Sequence, residues 1–252
     1  MNALIGSTGF VGSTLRGQAT FERQFHSTDI EEISRNEYDC VVCAGAPGAK
    51  WLANREPGAD RASLARLTNA LAELRCRRFV LISTVDVFDI PRDVDENSVV
   101  EPGAHPYGRH RLALEGFVRD RFSSSLVVRL PGLVGAGLRK NALFDLLNGN
   151  QLDRLDGAAV LQVYPMHRLW SDVQLASAKN LPLVHLVAEP VRLDAVADLF
   201  GVQLAGGSTS VHYDVRTVHA GIFGVDSPWQ VSRNESRAAI EAYARTEPRT
   251  RA

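Results

Sequence analysis

Apolar residues fall in short runs, "NALI", "DCVVCAG", "RFVLIS" and "SLVVRL", separated by longer stretches in which they recur every three or four positions. Runs of this length, apolar throughout rather than alternating, have the pattern of strands buried on both faces. The clearest helix follows Pro57, where Leu64, Leu67, Leu71 and Leu74 form one stripe and Arg61, Arg66 and Glu73 lie off it. It reads as a core helix with no chemistry of its own. The regular alternation predicts an α/β fold, a doubly wound parallel sheet with helices on both faces. After Leu130 the rhythm changes to a glycine-rich loop "PGLVGAGLRKN", a helix "ALFDLLNGN", strands "AAVLQVYP" and "LPLVHLVAEP", and a helix "RLDAVADLF". That change predicts a boundary between residues 1–130 and 131–252, the second part being a small α/β lobe partly interleaved with the sheet. The closing "TEPRTRA" reads as a frayed polar tail.

The first strand runs straight into "GSTGFVG", so Gly6, Gly9 and Gly12 stand at the junction of a strand and a helix. Free N–H groups and the positive end of the helix dipole bind phosphate there once glycine lets it approach the backbone. Dinucleotide folds use G-x-G-x-x-G, with an acidic residue about 20 positions later on the ribose. Here the spacing is G-x-x-G-x-x-G, and the second strand, within "FERQFHST", does not finish on an acidic residue. His26, Ser27 and Thr28, with Arg16 or Arg23 nearby, are placed to accept the extra phosphate of NADP, while Asp29 just beyond keeps NAD open. NADP is the preferred expectation.

Composition narrows the field. The 252 residues are 45% hydrophobic, enough for a sizeable core in one or two domains. With 28 basic and 29 acidic residues the net charge is −1, which predicts neither a nucleic-acid partner nor an anionic membrane surface. No apolar run nears the roughly 18 residues of a membrane span, and the early first strand leaves no room for a leader, so a cytoplasmic protein is expected. Cys40, Cys43 and Cys76 make no disulfide framework. The spacing of Cys40 and Cys43 within a buried strand sends them to opposite faces, against a redox or metal pair, and no metal site is expected.

A second constellation lies in "FVLISTVDVFD" and "HPYGRHRLALE". Pro106 suits a first helical position, which puts Tyr107 in the first turn and Arg111 one turn on along the same face. Thr84, Tyr107 and Arg111 can then converge at the C-terminal edge of the sheet, where doubly wound folds bind ligands. Carbonyl reduction needs such a set. A hydroxyl bonds the substrate oxygen, and a phenol, with a reference pKa of about 10 that a nearby cation lowers, delivers the proton.

Together these segments resemble the extended short-chain dehydrogenases/reductases, in which Ser or Thr, Tyr and Lys in Y-x-x-x-K serve an NAD(P) cofactor. "ISTVDVFD", "VDEN", "PYGRHRLALE" and "VVRLPGLVGAG" are similar to segments of nucleotide-sugar reductases of the dTDP-4-dehydrorhamnose reductase type. The resemblance implies a Rossmann-type fold and an oxidoreductase acting on a nucleotide-linked keto-sugar. It assigns Thr84, Tyr107 and Arg111 to catalysis, and Thr84, Asp86, Lys140, Asn141 and Arg168 to the substrate. The cofactor would lie along Gly6, Ser7, Thr8, Gly9, Phe10, Val11 and Gly12, the loop Ala44, Gly45 and Ala46, then Tyr107, Arg111 and Pro131. Lys50 in that loop would face solvent or a substrate phosphate. A homodimer is compatible with the resemblance. Arg111 departs from it, since an arginine keeps the charge but cannot relay a proton. Two alternatives therefore stay open, a sugar-nucleotide epimerase or dehydratase and a weakly catalytic NAD(P)-binding sensor or partner subunit.

Overall fold

The computed structural model describes residues 1–101, 103, 105–207 and 211–249. The chain divides into two compact units, residues 1–90, 97–129 and 170–185 in the first and 91–96, 130–169 and 186–252 in the second.

The first unit is built on six strands, β1 (Asn2–Ile5), β2 (Arg23–Phe25), β3 (Glu37–Cys43), β4 (Arg75–Thr84), β5 (Ser125–Leu130) and β6 (Leu183–His185). They lie in the order β6-β5-β4-β3-β1-β2 and form a parallel sheet. From β1 the chain steps outward to β2, then returns to β3 on the other side. The order therefore reverses between β1 and β3, the switch point at which doubly wound sheets open a crevice. Five helices belong to this unit, α1 (Phe10–Gln18), α2 (Lys50–Arg55), α3 (Pro57–Ala72), α4 (Pro106–Arg121) and α5 (Leu169–Ala178, from its second residue).

The core follows the apolar runs. Ala3 and Ile5 of β1, Val41 and Cys43 of β3, and Phe79 and Leu81 of β4 pack with Leu64, Leu67 and Leu71 of α3 and Leu114 and Val118 of α4. Each fully buried Leu or Phe of this set contributes roughly 1.5–3 kcal/mol. Phe79 and Phe122 stack at 4.3 Å between centroids. Leu74 is buried just past the end of α3. Cys40 is partly exposed and Cys43 is buried. Burial pushes the Cys43 thiol up to about 11, so no thiolate is available for redox chemistry there.

The second unit pairs short strands, Gly132–Val134 parallel to Val163–Pro165, Val191–Arg192 antiparallel to Val160–Leu161, and Asp214–Val215 parallel to Arg92–Val94. The expected strand "AAVLQVYP" is thus interrupted at Gln162. That buried amide donates to Ala188 and Val215 carbonyls at 2.7 Å each and accepts from the Val215 N–H at 2.9 Å, joining segments that a continuous strand would not reach. Helices cover Ala142–Asn148, Leu193–Ala197 and Arg233–Thr246. Of the expected strand "LPLVHLVAEP", only Leu183–His185 is a strand, and it extends the first unit's sheet beside β5. The expected tail is partly tied down, with Thr246 closing a helix and Glu247 accepting from the Gly137 N–H at 3.0 Å. Its residues 250–252 lie outside the described residues. Among the described residues no helix is long and apolar enough to cross a membrane.

Candidate active site

The glycine turn sits at the switch point. Gly6 has φ +80°, and a Cβ on it would stand 2.5 Å from the Ala44 carbonyl oxygen, so the turn presses directly on the loop that follows β3. A Cβ on Gly12 would meet the Gly6 carbonyl oxygen at 2.0 Å. Both positions must be glycine for the fold to close. Gly9 is different, because its Cβ would only touch the Gly6 oxygen at 3.5 Å. It is the exposed N-cap of α1 and offers no side-chain cap, which leaves the first-turn N–H groups of α1 open toward the crevice.

At the end of β2 the Ser7 hydroxyl and His26 Nδ1 lie 3.2 Å apart, linking the glycine turn to the strand end. Asp29 Oδ1 accepts from the His26 N–H at 2.5 Å and is held in this local turn. Ser27 and Thr28 are exposed. Arg66 Nη2 donates to the Ser27 carbonyl at 2.9 Å, so a guanidinium from α3 also stands here.

At the C-terminal end of β4 the two hydroxyls separate. Ser83 turns to Glu115 Oε1 at 2.6 Å, whereas Thr84 accepts from the Asp86 N–H at 3.1 Å and hydrogen-bonds the Tyr107 phenol. Helix α4 is fixed at its start by side chains. His105 Nδ1 accepts from the Gly108 N–H at 3.0 Å, and Asn54 Oδ1 of α2 accepts from the Tyr107 N–H at 3.0 Å. Gly108 is required, since a Cβ there would stand 2.3 Å from the Asp86 carbonyl oxygen. Lys50 does not face solvent alone, because its ammonium pairs with Asp86 Oδ1 at 2.7 Å.

Arg111 lies under the same phenol, its guanidinium carbon 4.4 Å from the Tyr107 ring centroid. Its fork closes on Asp60 of α3, with Nη1–Oδ2 at 2.8 Å and Nη2–Oδ1 at 2.9 Å, and Nη2 also donates to the Pro47 carbonyl. His110 Nδ1 adds a contact to Asp60 Oδ2 at 2.7 Å. Burial pushes the Asp60 carboxyl up, but the Arg111 and His110 hydrogen bonds outweigh it and hold the group below its ordinary value. Burial also dominates at Tyr107 and raises the phenol, with Arg111 and the Thr84 bond lowering it less. This reverses the net direction expected from Arg111 alone.

Beside the site, α4 and the sheet are joined by a buried polar network. Glu115, fully buried, takes Arg129 at 2.7 and 3.0 Å. Arg129 reaches His185 Nε2 at 3.3 Å, its register partner on β6, and lies over the Phe88 ring.

Thr84, Asp86, Tyr107 and Arg111 are thus brought together in the first unit. Pro131, Lys140, Asn141 and Arg168 belong to the second unit. There Asn141 caps the helix Ala142–Asn148, accepting from Leu143 and Phe144 N–H groups and donating to the Leu133 carbonyl at 2.9 Å. Arg168 pairs with Glu235 at 2.9 Å. Asp60, Asn54, Arg66 and Glu115 were not singled out by sequence. Asp60 carried a readable signal, because it continues the stripe of Leu64, Leu67 and Leu71, and a carboxylate on a buried stripe must find a cation.

No protein-family model matches the sequence, and no curated protein matches it either. Solved structures do resemble it. A dTDP-4-dehydrorhamnose reductase from Yersinia enterocolitica superposes with a TM-score of 0.73 at 16% identity, over 96% of this chain and 98% of that one. This chain shares their fold. The protein RMD from Pseudomonas aeruginosa, solved with NADPH, gives 0.73 at 17% identity over 96% and 98%. A UDP-glucose 4-epimerase from Thermotoga maritima, solved with UDP-glucose, gives 0.69 at 16% over 97% and 99%. The Rossmann-type α/β architecture of these reductases and epimerases is therefore that of the present chain.

Proposed function

We propose that this protein is an NAD(P)-dependent oxidoreductase of the extended short-chain dehydrogenase/reductase family, reducing a keto-sugar carried on a nucleotide. The observation that carries the reading is the Thr84–Tyr107 hydroxyl pair, buried on β4 and α4 of the sheet whose switch point holds the glycine turn. When bound, the nicotinamide supplies a hydride. Tyr107 holds the proton that the resulting alkoxide requires, and Thr84 orients the phenol and the carbonyl oxygen. Gly6 to Gly12, with the α1 N–H groups, suit the pyrophosphate, and the small residues Ala44, Gly45 and Ala46 allow close approach beside it. The fit is supported by Gly9, a glycine whose missing side chain the fold itself does not demand.

NADP is the preferred cofactor in this reading. Asp29 is committed to the His26 N–H, and Arg66 adds a cation beside Ser27, at the strand end where a ribose phosphate would lie. The NADPH complex of the similar RMD protein supports the same choice. NADP is expected to raise the melting temperature more than NAD at equal concentration, a tenfold tighter Kd adding about 1.4 kcal/mol. A larger shift with NAD would reverse the assignment.

Gly9→Val places a branched side chain over the open first turn of α1. Stability without ligand should stay within about 1 kcal/mol of wild type, while the thermal shift with NADP disappears. A shift that survives would show that the pyrophosphate lies elsewhere.

The reaction itself is tested by following NADPH oxidation against a panel of nucleotide-linked 4-keto-sugars. A second reading, a dinucleotide-binding protein without turnover, is favoured by Arg111, whose terminal nitrogens are both committed to Asp60. Tight NADPH binding with no oxidation across the panel would select it.

A further inference from the structure

We propose that Asp60 is a positioning residue for the Tyr107 proton donor: by taking both terminal nitrogens of Arg111 it fixes the guanidinium over the phenol ring and balances its charge there. The proposal rests on the reading of Tyr107 as the donor given above.

Three features of the geometry support it. The Arg111–Asp60 contact is a two-point fork at 2.8 and 2.9 Å with both side chains almost wholly buried, so it has one arrangement and little screening. A lysine in this place would bond one carboxylate oxygen and leave the other, so the arginine and the aspartate suit each other. The anchored guanidinium then lies 4.4 Å from the ring centroid rather than extending past the phenol toward a ligand.

The charged groups facing Tyr107 come from three elements. Arg111 lies on α4, Asp60 on α3 and Asp86 on the turn after β4, with the Thr84 hydroxyl on the phenol itself. Asp86 has Lys50 of α2 as its cation, with His105 nearby, and Asp60 has Arg111, with His110 on its other side. Each anion near the phenol thus has its own cation. What remains is burial, which favours the protonated phenol, the form that gives a proton to a reduced carbonyl. Removing the Asp60 charge leaves an unbalanced cation against the ring, which stabilises the phenolate.

The test is an absorbance titration of tyrosinate in the cofactor-free protein, with the Tyr107→Phe protein subtracted to isolate one of the five tyrosines. Asp60→Asn is expected to make the Tyr107 phenol ionise about tenfold more readily, a fall of about one pH unit in its midpoint. A fall of less than about half a unit would reduce Asp60 to a structural pin and overturn the proposal. Should Asp60→Asn fail to fold, the doubly neutral Asp60→Asn, Arg111→Gln variant carries the test. Its midpoint is expected within about half a unit of wild type, and a larger fall overturns the proposal as well. No substrate enters this titration. It therefore stands or falls apart from the turnover of Tyr107→Phe, which tests whether the phenol is the donor at all.

Discussion

Tyr107→Phe is expected to lower NADPH-dependent turnover by about 10²–10⁴-fold, the range typical of a positioned acid or base, with cofactor binding nearly unchanged. The change removes one hydroxyl and little else. The ring stays over Arg111, whose attraction to an aromatic face does not need the phenol oxygen, and Thr84 keeps its bond from the Asp86 N–H. Stability should therefore move by only about 1 kcal/mol, the net worth of one buried hydrogen bond. The sign of the pH dependence follows from the raised phenol. A group held above its ordinary value of about 10 stays protonated throughout the neutral range, so reduction loses its donor only at strongly alkaline pH. Wild-type turnover in the phenylalanine variant would remove Tyr107 from the chemistry.

The second large effect concerns stability. Glu115→Ala is expected to cost about 3–5 kcal/mol in urea unfolding, because it leaves Arg129 buried without its carboxylate. Glu115→Leu with Arg129→Met, which removes both charges and keeps the volume, should recover most of that loss. The contrast between single and double variant is the informative quantity. A single variant costing under about 1 kcal/mol would mean that solvent or His185 compensates Arg129, and that the network does not tie α4 to the sheet.

Legibility in the sequence follows the range of the interactions involved. The strand, glycine turn and helix at the start are set by neighbours within a dozen positions, and the sequence reading of them agrees with the structure. The stripe on α3 was equally local. Asp60 on that stripe was not recognised, since its meaning depends on Arg111 and His110 far along the chain. The same holds for Lys50, which a loop reading assigns to solvent or a phosphate and the fold assigns to Asp86. Gln162 shows the limit for strands. A polar residue inside "AAVLQVYP" looks tolerable, yet its amide serves carbonyls from two distant segments and breaks the strand. The direction of the phenol's shift was out of reach for a further reason. Burial outweighs the cation, and burial is a property of the whole packed unit.

Ser83 and Thr84 are adjacent and nearly the same in chemistry, yet the alternation of β4 sends one to Glu115 and the other to the phenol. Selection can act on them separately. A lineage that gives up turnover is free to replace Thr84 and Tyr107 at little cost to folding, but it must keep Ser83, Glu115 and Arg129 to remain folded. Among descendants of this chain the scaffold hydroxyl should outlast the chemical one, so the order in which the two are lost would date the loss of activity.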